Sequence, residues 1–93
     1  MNRRQPYSRE AAESLAIQAL TFLGGDQERL ARFLAVSGIG PQSIRSAARH
    51  AGFLAGVLEY LATDEALLLA FAAEAQVAPS EIDKARRVLG AVA

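Results

Sequence analysis

The sequence predicts an all-α fold, a compact bundle of five or six short helices. Alanine and leucine dominate the apolar residues and aromatic residues make up only 6% of the chain, a composition that favours helices over strands. Apolar residues recur at helical spacing between capping residues, and no segment alternates between polar and apolar over a useful length. The length of 93 residues suits a single domain.

The first two helices are predicted from their ends. Residues 1–7 lack helical periodicity, so we expect a mobile N-terminal arm followed by one helical domain over residues 8–93. Ser8 is a good N-cap for the first helix, which the pair Gly24 and Gly25 should end. Asp26 should cap a second helix that ends at Gly38.

The remaining helices follow the same logic. Pro41 fits the first turn of a third helix, which we expect to run to Gly52, with a fourth helix directly after it. Thr63 or Asp64 should cap a fifth helix, which is apolar almost all round and is therefore expected to be the most buried. Pro79 should open a sixth helix.

The chain resembles itself at an offset of 38 residues, which pairs residues 15–52 with 53–90. Eleven of these 38 pairs are identical, including matched Asp, Pro and Gly positions at predicted helix ends. The pairing predicts two three-helix units related by a pseudo-twofold axis, although a biased helical composition also produces self-matches. The matched apolar positions predict a core that contains Leu20, Leu30, Phe33, Ile44, Leu58, Leu68, Phe71 and Ile82.

The two halves differ in charge although the whole chain is neutral. Residues 1–52 hold seven basic and four acidic residues, a net charge of +3, and residues 53–93 hold three basic and six acidic residues, a net charge of −3. The neutral total gives no overall attraction to nucleic acid or membrane, while the asymmetry suits an oriented contact with a partner or head-to-tail self-association.

One turn has a recognisable pattern, an isoleucine between two glycines just before a predicted helix. Gly38, Ile39 and Gly40 precede the helix that starts at Pro41, and Arg45 and Arg49 follow four residues apart. Glycines at a helix start allow backbone N–H groups to approach a phosphate. The same pattern is also an ordinary left-handed C-cap followed by a new helix, and both interpretations stay open.

The turn resembles the hairpin of helix-hairpin-helix DNA-binding modules, and residues 26–90 resemble the tandem form. The resemblance implies that the two glycines bind phosphate, that Ile39 plugs the hairpin into the core, and that Arg45 and Arg49 contact DNA. Ile44 and Ala47 reverse the size order usual in that family. The second hairpin, residues 76–79, contains no glycine.

The whole chain also resembles a small uncharacterised bacterial family, domain of unknown function 3572. The resemblance rests on the segments 15–20, 52–54 and 64–71 and spans residues from about 10 to 90. It implies no activity, cofactor or catalytic residue.

The sequence offers little for catalysis. His50 is the single histidine and there is no cysteine, so we expect no catalytic residue, no metal site and no cofactor. No apolar run approaches the roughly 20 residues of a membrane span. We expect a cytoplasmic protein. The sequence shows no evident small-molecule substrate. The predicted function is a non-enzymatic interaction domain that binds a protein partner or itself. The alternative is weak, non-sequence-specific binding of the DNA backbone through the glycine turn.

Overall fold

Six α-helices form in the computed structural model, which describes residues 7–92, and no strand occurs within those residues. The helices span Arg9–Gly24 (α1), Gln27–Ser37 (α2), Ile44–Ala47 (α3), Ala51–Ala62 (α4), Glu65–Ala75 (α5) and Pro79–Val92 (α6). A 3-10 turn, Pro41–Ser43, leads into α3. The predicted all-α bundle is confirmed.

Side-chain caps start three of the helices. The Ser8 hydroxyl oxygen accepts a hydrogen bond from the Ala11 N–H at 3.0 Å and so begins α1. The carboxylates of Asp26 and Asp64 accept N–H groups from the first turns of α2 and α5. Each cap satisfies backbone donors that a helix start leaves without an intrahelical partner. These short-range bonds explain why the sequence predicts these helix starts correctly.

The core lies among α1, α4 and α6, which pack against one another. The helices α2 and α5 flank this trio, α2 against α1 and α5 against α4. α1 brings small residues to the centre, which allow its neighbours to approach closely. The buried apolar residues are Ala12, Leu15, Ala16, Ala19, Phe22, Leu23, Phe33, Leu54, Ala55, Val57, Leu58, Leu61, Phe71, Ala72, Ile82, Ala85 and Leu89.

The predicted core is correct at its centre and wrong at its edge. Four of its members are buried, namely Phe33, Leu58, Phe71 and Ile82. Leu20 and Leu68 are partly buried and pack against the core. Leu30 and Ile44 are only half-buried and lie outside the packed core. Ile44 does not join the core, because its helix α3 makes its main contacts with the preceding 3-10 turn.

The expectation that the fifth helix is the most buried is wrong, because α1 and α4 both bury more residues than α5. α1 buries six residues and α4 buries five, whereas α5 buries only Phe71 and Ala72. Leu69 of α5 is 47% exposed. A helix with apolar residues on all sides is able to be buried on all sides. How much of it is buried depends on how many other helices pack against it.

The third helix is much shorter than predicted. Instead of one helix from Pro41 to Gly52, the chain forms a three-residue 3-10 turn and a four-residue α3. The N–H groups of Arg49 and His50 then donate to carbonyls three residues earlier, which tightens the chain into a turn. His50 adopts an extended conformation and precedes α4, so Gly52 lies in the first turn of α4.

Capping geometry recurs at the offset of 38 residues. Asp26 and Asp64 are both N-caps, and the helix ends 38 residues apart at Gly38 and Gln76 are both left-handed, with φ of 75° and 59°. The third elements of the two halves differ, because α6 has 14 residues and α3 has four. The superposition of the halves by a half-turn stays a prediction.

The N-terminal end of the described chain is anchored. Residues 1–6 of the predicted arm lie outside the described residues, but Tyr7 is half-buried and packs against the core. Burial, together with the negative charge of Glu81, raises the pKa of the Tyr7 phenol above its ordinary value. Tyr7 therefore belongs to the folded body.

Candidate binding surfaces

The turn Gly38-Ile39-Gly40 closes α2. The Gly38 N–H donates to the Leu34 carbonyl at 2.9 Å, and the Ile39 N–H donates to the Ser37 hydroxyl oxygen at 3.3 Å. Gly40 is extended, and its carbonyl accepts the Ser43 N–H at 2.9 Å. The Gly38 N–H, one of the two glycine N–H groups that the helix-hairpin-helix resemblance would direct at a phosphate, is thus bonded within the chain, and so is the neighbouring Ile39 N–H.

The side chain of Ile39 does not take the position that the resemblance implies. It is half-buried and does not belong to the core or to the residues packed against it. The short helix that follows the turn makes its main contacts with the 3-10 turn rather than with the core. The turn is therefore a left-handed C-cap followed by a 3-10 turn, without a plug into the bundle.

Arg45 and Arg49 do not lie on one helix, although the predicted third helix, from Pro41 to Gly52, would contain both. Arg45 lies in α3, but Arg49 lies beyond the C-cap residue Ala48, because the helix ends early. Both side chains are exposed. Within residues 7–92 neither has an ion-pair partner, and the same holds for Arg32 on α2. Among the described residues, α2, α3 and the turn after α3 thus each carry an exposed arginine without an ion-pair partner.

The acidic half of the chain carries an ion-pair cluster between α4 and α6. Asp83 binds Arg86 at 2.6 Å and Arg87 at 2.9 Å, and Arg86 also approaches Glu59 at 3.8 Å. The Arg86 hydrogen bond holds the pKa of the Asp83 carboxyl below its usual range. Because these groups are largely solvated, the cluster adds little to stability and shows no arrangement for binding a ligand.

The structure also contains a groove that the sequence did not predict. It lies between α1 and α5, with the start of α2 at one end, and encloses about 860 Å³. Its apolar part includes the rings of Phe22 and Phe71, whose centroids are 5.5 Å apart, and the half-exposed side chain of Ile17. The lining residues are Glu10, Glu13, Ser14, Ile17, Gln18, Thr21, Phe22, Gly25, Arg29, Phe71, Glu74 and Ala75.

Charge is distributed unevenly along this groove. Glu10, Glu13 and Glu74 contribute three carboxylates, of which Glu13 is paired with Arg9 at 3.2 Å. Arg29 is the one basic residue of the lining, and its guanidinium carbon lies 4.5 Å from the centre of the Phe22 ring. A guanidinium in this position is held by cation–π attraction. The groove therefore combines an apolar floor with a net negative rim.

Only a weak signal in the sequence points to the groove. The buried face of α1 includes Leu15, Ala16 and Ala19, and Ile17 falls outside that face with 46% of its surface exposed. A single exposed apolar residue is common on protein surfaces, and only a contiguous apolar patch points to a contact surface. The opposite wall comes from α5, almost fifty residues later, and no local pattern places it beside α1.

The described residues contain little that could perform chemistry. Within residues 7–92 no group of three or more His, Cys, Asp or Glu side chains could hold a metal ion. His50 is exposed and its side chain makes no capping hydrogen bond. The Thr21 hydroxyl in the groove donates to the carbonyl of Ile17 on its own helix. Among these residues, no helix has the length and apolar character needed to cross a bilayer.

Comparison with known proteins identifies a family. Residues 9–91 match the family described as Protein of unknown function (DUF3572), and no curated protein or solved structure matches the chain. The match runs from the first residue of α1 into the last turn of α6, so it includes every helix and the whole groove. It confirms the resemblance seen in the sequence: the chain belongs to the DUF3572 family of proteins of unknown function.

Proposed function

We propose that this chain is a non-enzymatic interaction domain that binds a protein partner in the cytoplasm through the groove between α1 and α5. The observation that carries the proposal is the groove itself, which leaves Ile17 exposed above an aromatic floor in a chain with a well-packed core elsewhere. Concave apolar surfaces with a polar rim are typical of binding sites.

The shape of the groove favours a protein segment over a small molecule. Its α1 wall runs from Glu10 to Phe22, about 18 Å along the helix axis at 1.5 Å per residue. An elongated open groove between two helices suits an amphipathic helix, which binds through apolar side chains three and four residues apart. A small-molecule site would instead enclose most of its ligand.

The composition of the groove supports a non-enzymatic role. The single histidine, His50, is not part of the lining, and the Thr21 hydroxyl is bonded to its own helix. A nucleophile therefore has no histidine base beside it here. The acidic residues lie along a rim where they can select a partner by charge.

Weak, non-sequence-specific binding of the DNA backbone through Gly38, Ile39 and Gly40 with Arg45 and Arg49 is the alternative proposal. One observation favours it: both arginines are exposed and have no ion-pair partner within residues 7–92. The internal hydrogen bonds of the Gly38 and Ile39 N–H groups count against it, because those donors would have to bind the phosphate. We therefore place protein binding first.

The test is quantitative affinity capture from the native host with three forms of the tagged chain. Ile17→Gln alters the groove, and Leu69→Gln is the matched control, because these residues are 46% and 47% exposed and only Ile17 lines the groove. We expect a protein captured by the wild type and by Leu69→Gln to be lost from Ile17→Gln. Equal capture by all three forms would refute the proposal.

A further inference from the structure

We propose that the groove between α1 and α5 binds the outer face of α2 from a second copy of the chain. The proposal rests on the proposed function, because it identifies the partner of the same groove. It is supported by three features of the described residues: the character of the exposed face of α2, the similar lengths of the two surfaces, and the unpaired Arg32 on α2 opposite the net negative groove.

The outer face of α2 is an unpartnered surface of the right composition. α2 buries only Phe33, and Val36 is 69% exposed, the most exposed large apolar side chain among residues 7–91. Small and charged residues share this side of the helix. The exposed face consists of Glu28, Ala31, Arg32, Ala35 and Val36. These positions fall within one arc of a 3.6-residue helix, and the two alanines allow another helix to approach closely.

The dimensions of the two surfaces agree. α2 has 11 residues and is therefore about 16 Å long, close to the length of about 18 Å of the α1 wall of the groove. Val36 can supply the apolar side chain that covers Ile17. A contact of this size lies below the area of stable complexes, so the association is weak and depends on concentration.

One charge on the outer face of α2 complements the net negative groove. Arg32 has no ion-pair partner within residues 7–92, and Glu10 and Glu74 of the groove have none either, while Glu28 at the start of α2 makes the face neutral as a whole. Opposite potentials favour the docked orientation and oppose contact between two grooves or two α2 faces. Since the groove and the face are different patches of one chain, the contact is heterologous and joins copies head to tail.

Sedimentation velocity tests the proposal with two charge-reversal variants, Glu74→Lys in the groove and Arg32→Glu on α2. Lys84→Glu is the control for Arg32→Glu, because Lys84 is exposed, lies outside the groove lining and undergoes the same change of charge. All forms are first compared by circular dichroism to confirm equal folding. Protein concentration is raised to about 1 mM, where weak association becomes visible, in about 30 mM salt to limit screening.

We expect the wild type and Lys84→Glu to associate as concentration rises. Glu74→Lys alone and Arg32→Glu alone should each associate with a dissociation constant at least about tenfold higher than that of the wild type, because like charges then meet across the contact. An equimolar mixture of Glu74→Lys and Arg32→Glu should recover association between the two variants, because Arg32 of the first variant meets Glu74 of the second and the two reversed charges also attract each other. Raising the salt concentration to about 0.5 M should weaken the wild-type association.

Two results would overturn the proposal: a wild type that stays monomeric under these conditions, or a mixture that associates no better than its components. These failures are distinct from failure of the proposed function. If the chain is monomeric but Ile17→Gln still loses a captured protein, the groove binds a different partner. If Ile17→Gln captures the same proteins as the wild type, the groove itself is not a binding surface.

Discussion

Replacement of Phe71 by alanine should destabilise the chain strongly, and its cost follows from the position of the ring. Phe71 is 2% exposed and packs against Phe22 with a centroid separation of 5.5 Å. Removing a buried phenylalanine costs about 3–5 kcal/mol in free energy of unfolding. Phe71 also lines the groove, so water can enter the space left by the ring, and we expect a value near the lower limit, about 3 kcal/mol.

That loss is large for a chain of this size. A 93-residue domain has a free energy of unfolding of about 5–14 kcal/mol at roughly 0.05–0.15 kcal/mol per residue. A loss of about 3 kcal/mol should lower Tm by roughly 12–24 °C. Urea denaturation followed by circular dichroism measures the change. The slope of the free energy of unfolding against urea concentration should be the same in the variant and the wild type if only stability changes.

Leu69→Ala on the same helix is the matched control. Leu69 is 47% exposed, so its truncation should cost about 1 kcal/mol or less. If Phe71→Ala and Leu69→Ala unfolded at the same urea concentration, the faces assigned to α5 would be wrong. The description of the groove floor would fail with them, because it depends on the same ring.

Three further outcomes are expected. Gly38→Ala should lower the free energy of unfolding by about 1–2 kcal/mol, because alanine is strained at φ 75°. Gly24→Ala should be neutral or stabilising, because an added Cβ has nothing within 4 Å and φ is not positive there. Thermal melts of the two variants measure the difference. The double variant Arg45→Ala, Arg49→Ala should be as stable as the wild type, because both side chains are exposed. The wild type should not bind duplex DNA at low salt. Tight DNA binding by the wild type that is weakened by salt and lost in the double variant would instead favour the DNA alternative. The lowered pKa of Asp83 stabilises the folded state above the ordinary aspartate pKa of about 3.9, and this contribution is lost as pH falls through the folded-state value. As the pH falls from about 5 to about 2, the free energy of unfolding of the Asp83→Asn variant should therefore decrease less than that of the wild type. Urea denaturation at each pH measures both values.

The helix ends could be predicted because their causes are local. Asp26 and Asp64 cap the helices that directly follow them, and Gly38 takes a conformation that few other residues adopt readily. The same reasoning failed between Pro41 and Gly52, where a local pattern allowed one long helix but the chain turns after Ala47. The length of a helix depends on its packing as well as its caps, and α3 has little to pack against.

The groove could not be predicted because it is a property of the packing. Its walls come from α1 and α5, and no periodicity shows that these helices lie side by side with a gap between them. For the same reason the sequence could not show that α4, rather than the equally apolar α5, is surrounded by neighbours. The exposed position of Ile17 was visible as a departure from the α1 core face, but its neighbours Phe71 and Glu74 were not.

Site-specific photo-crosslinking tests most directly whether the groove is the protein-binding surface. A benzophenone amino acid is placed at Gln18, which is exposed on the groove wall, or at Lys84, which is exposed on α6 outside the groove lining. Irradiation in the native host should yield a protein adduct of higher mass from position 18 and none from position 84. Adducts from position 84 without any from position 18 would contradict the assignment of the binding surface to the groove.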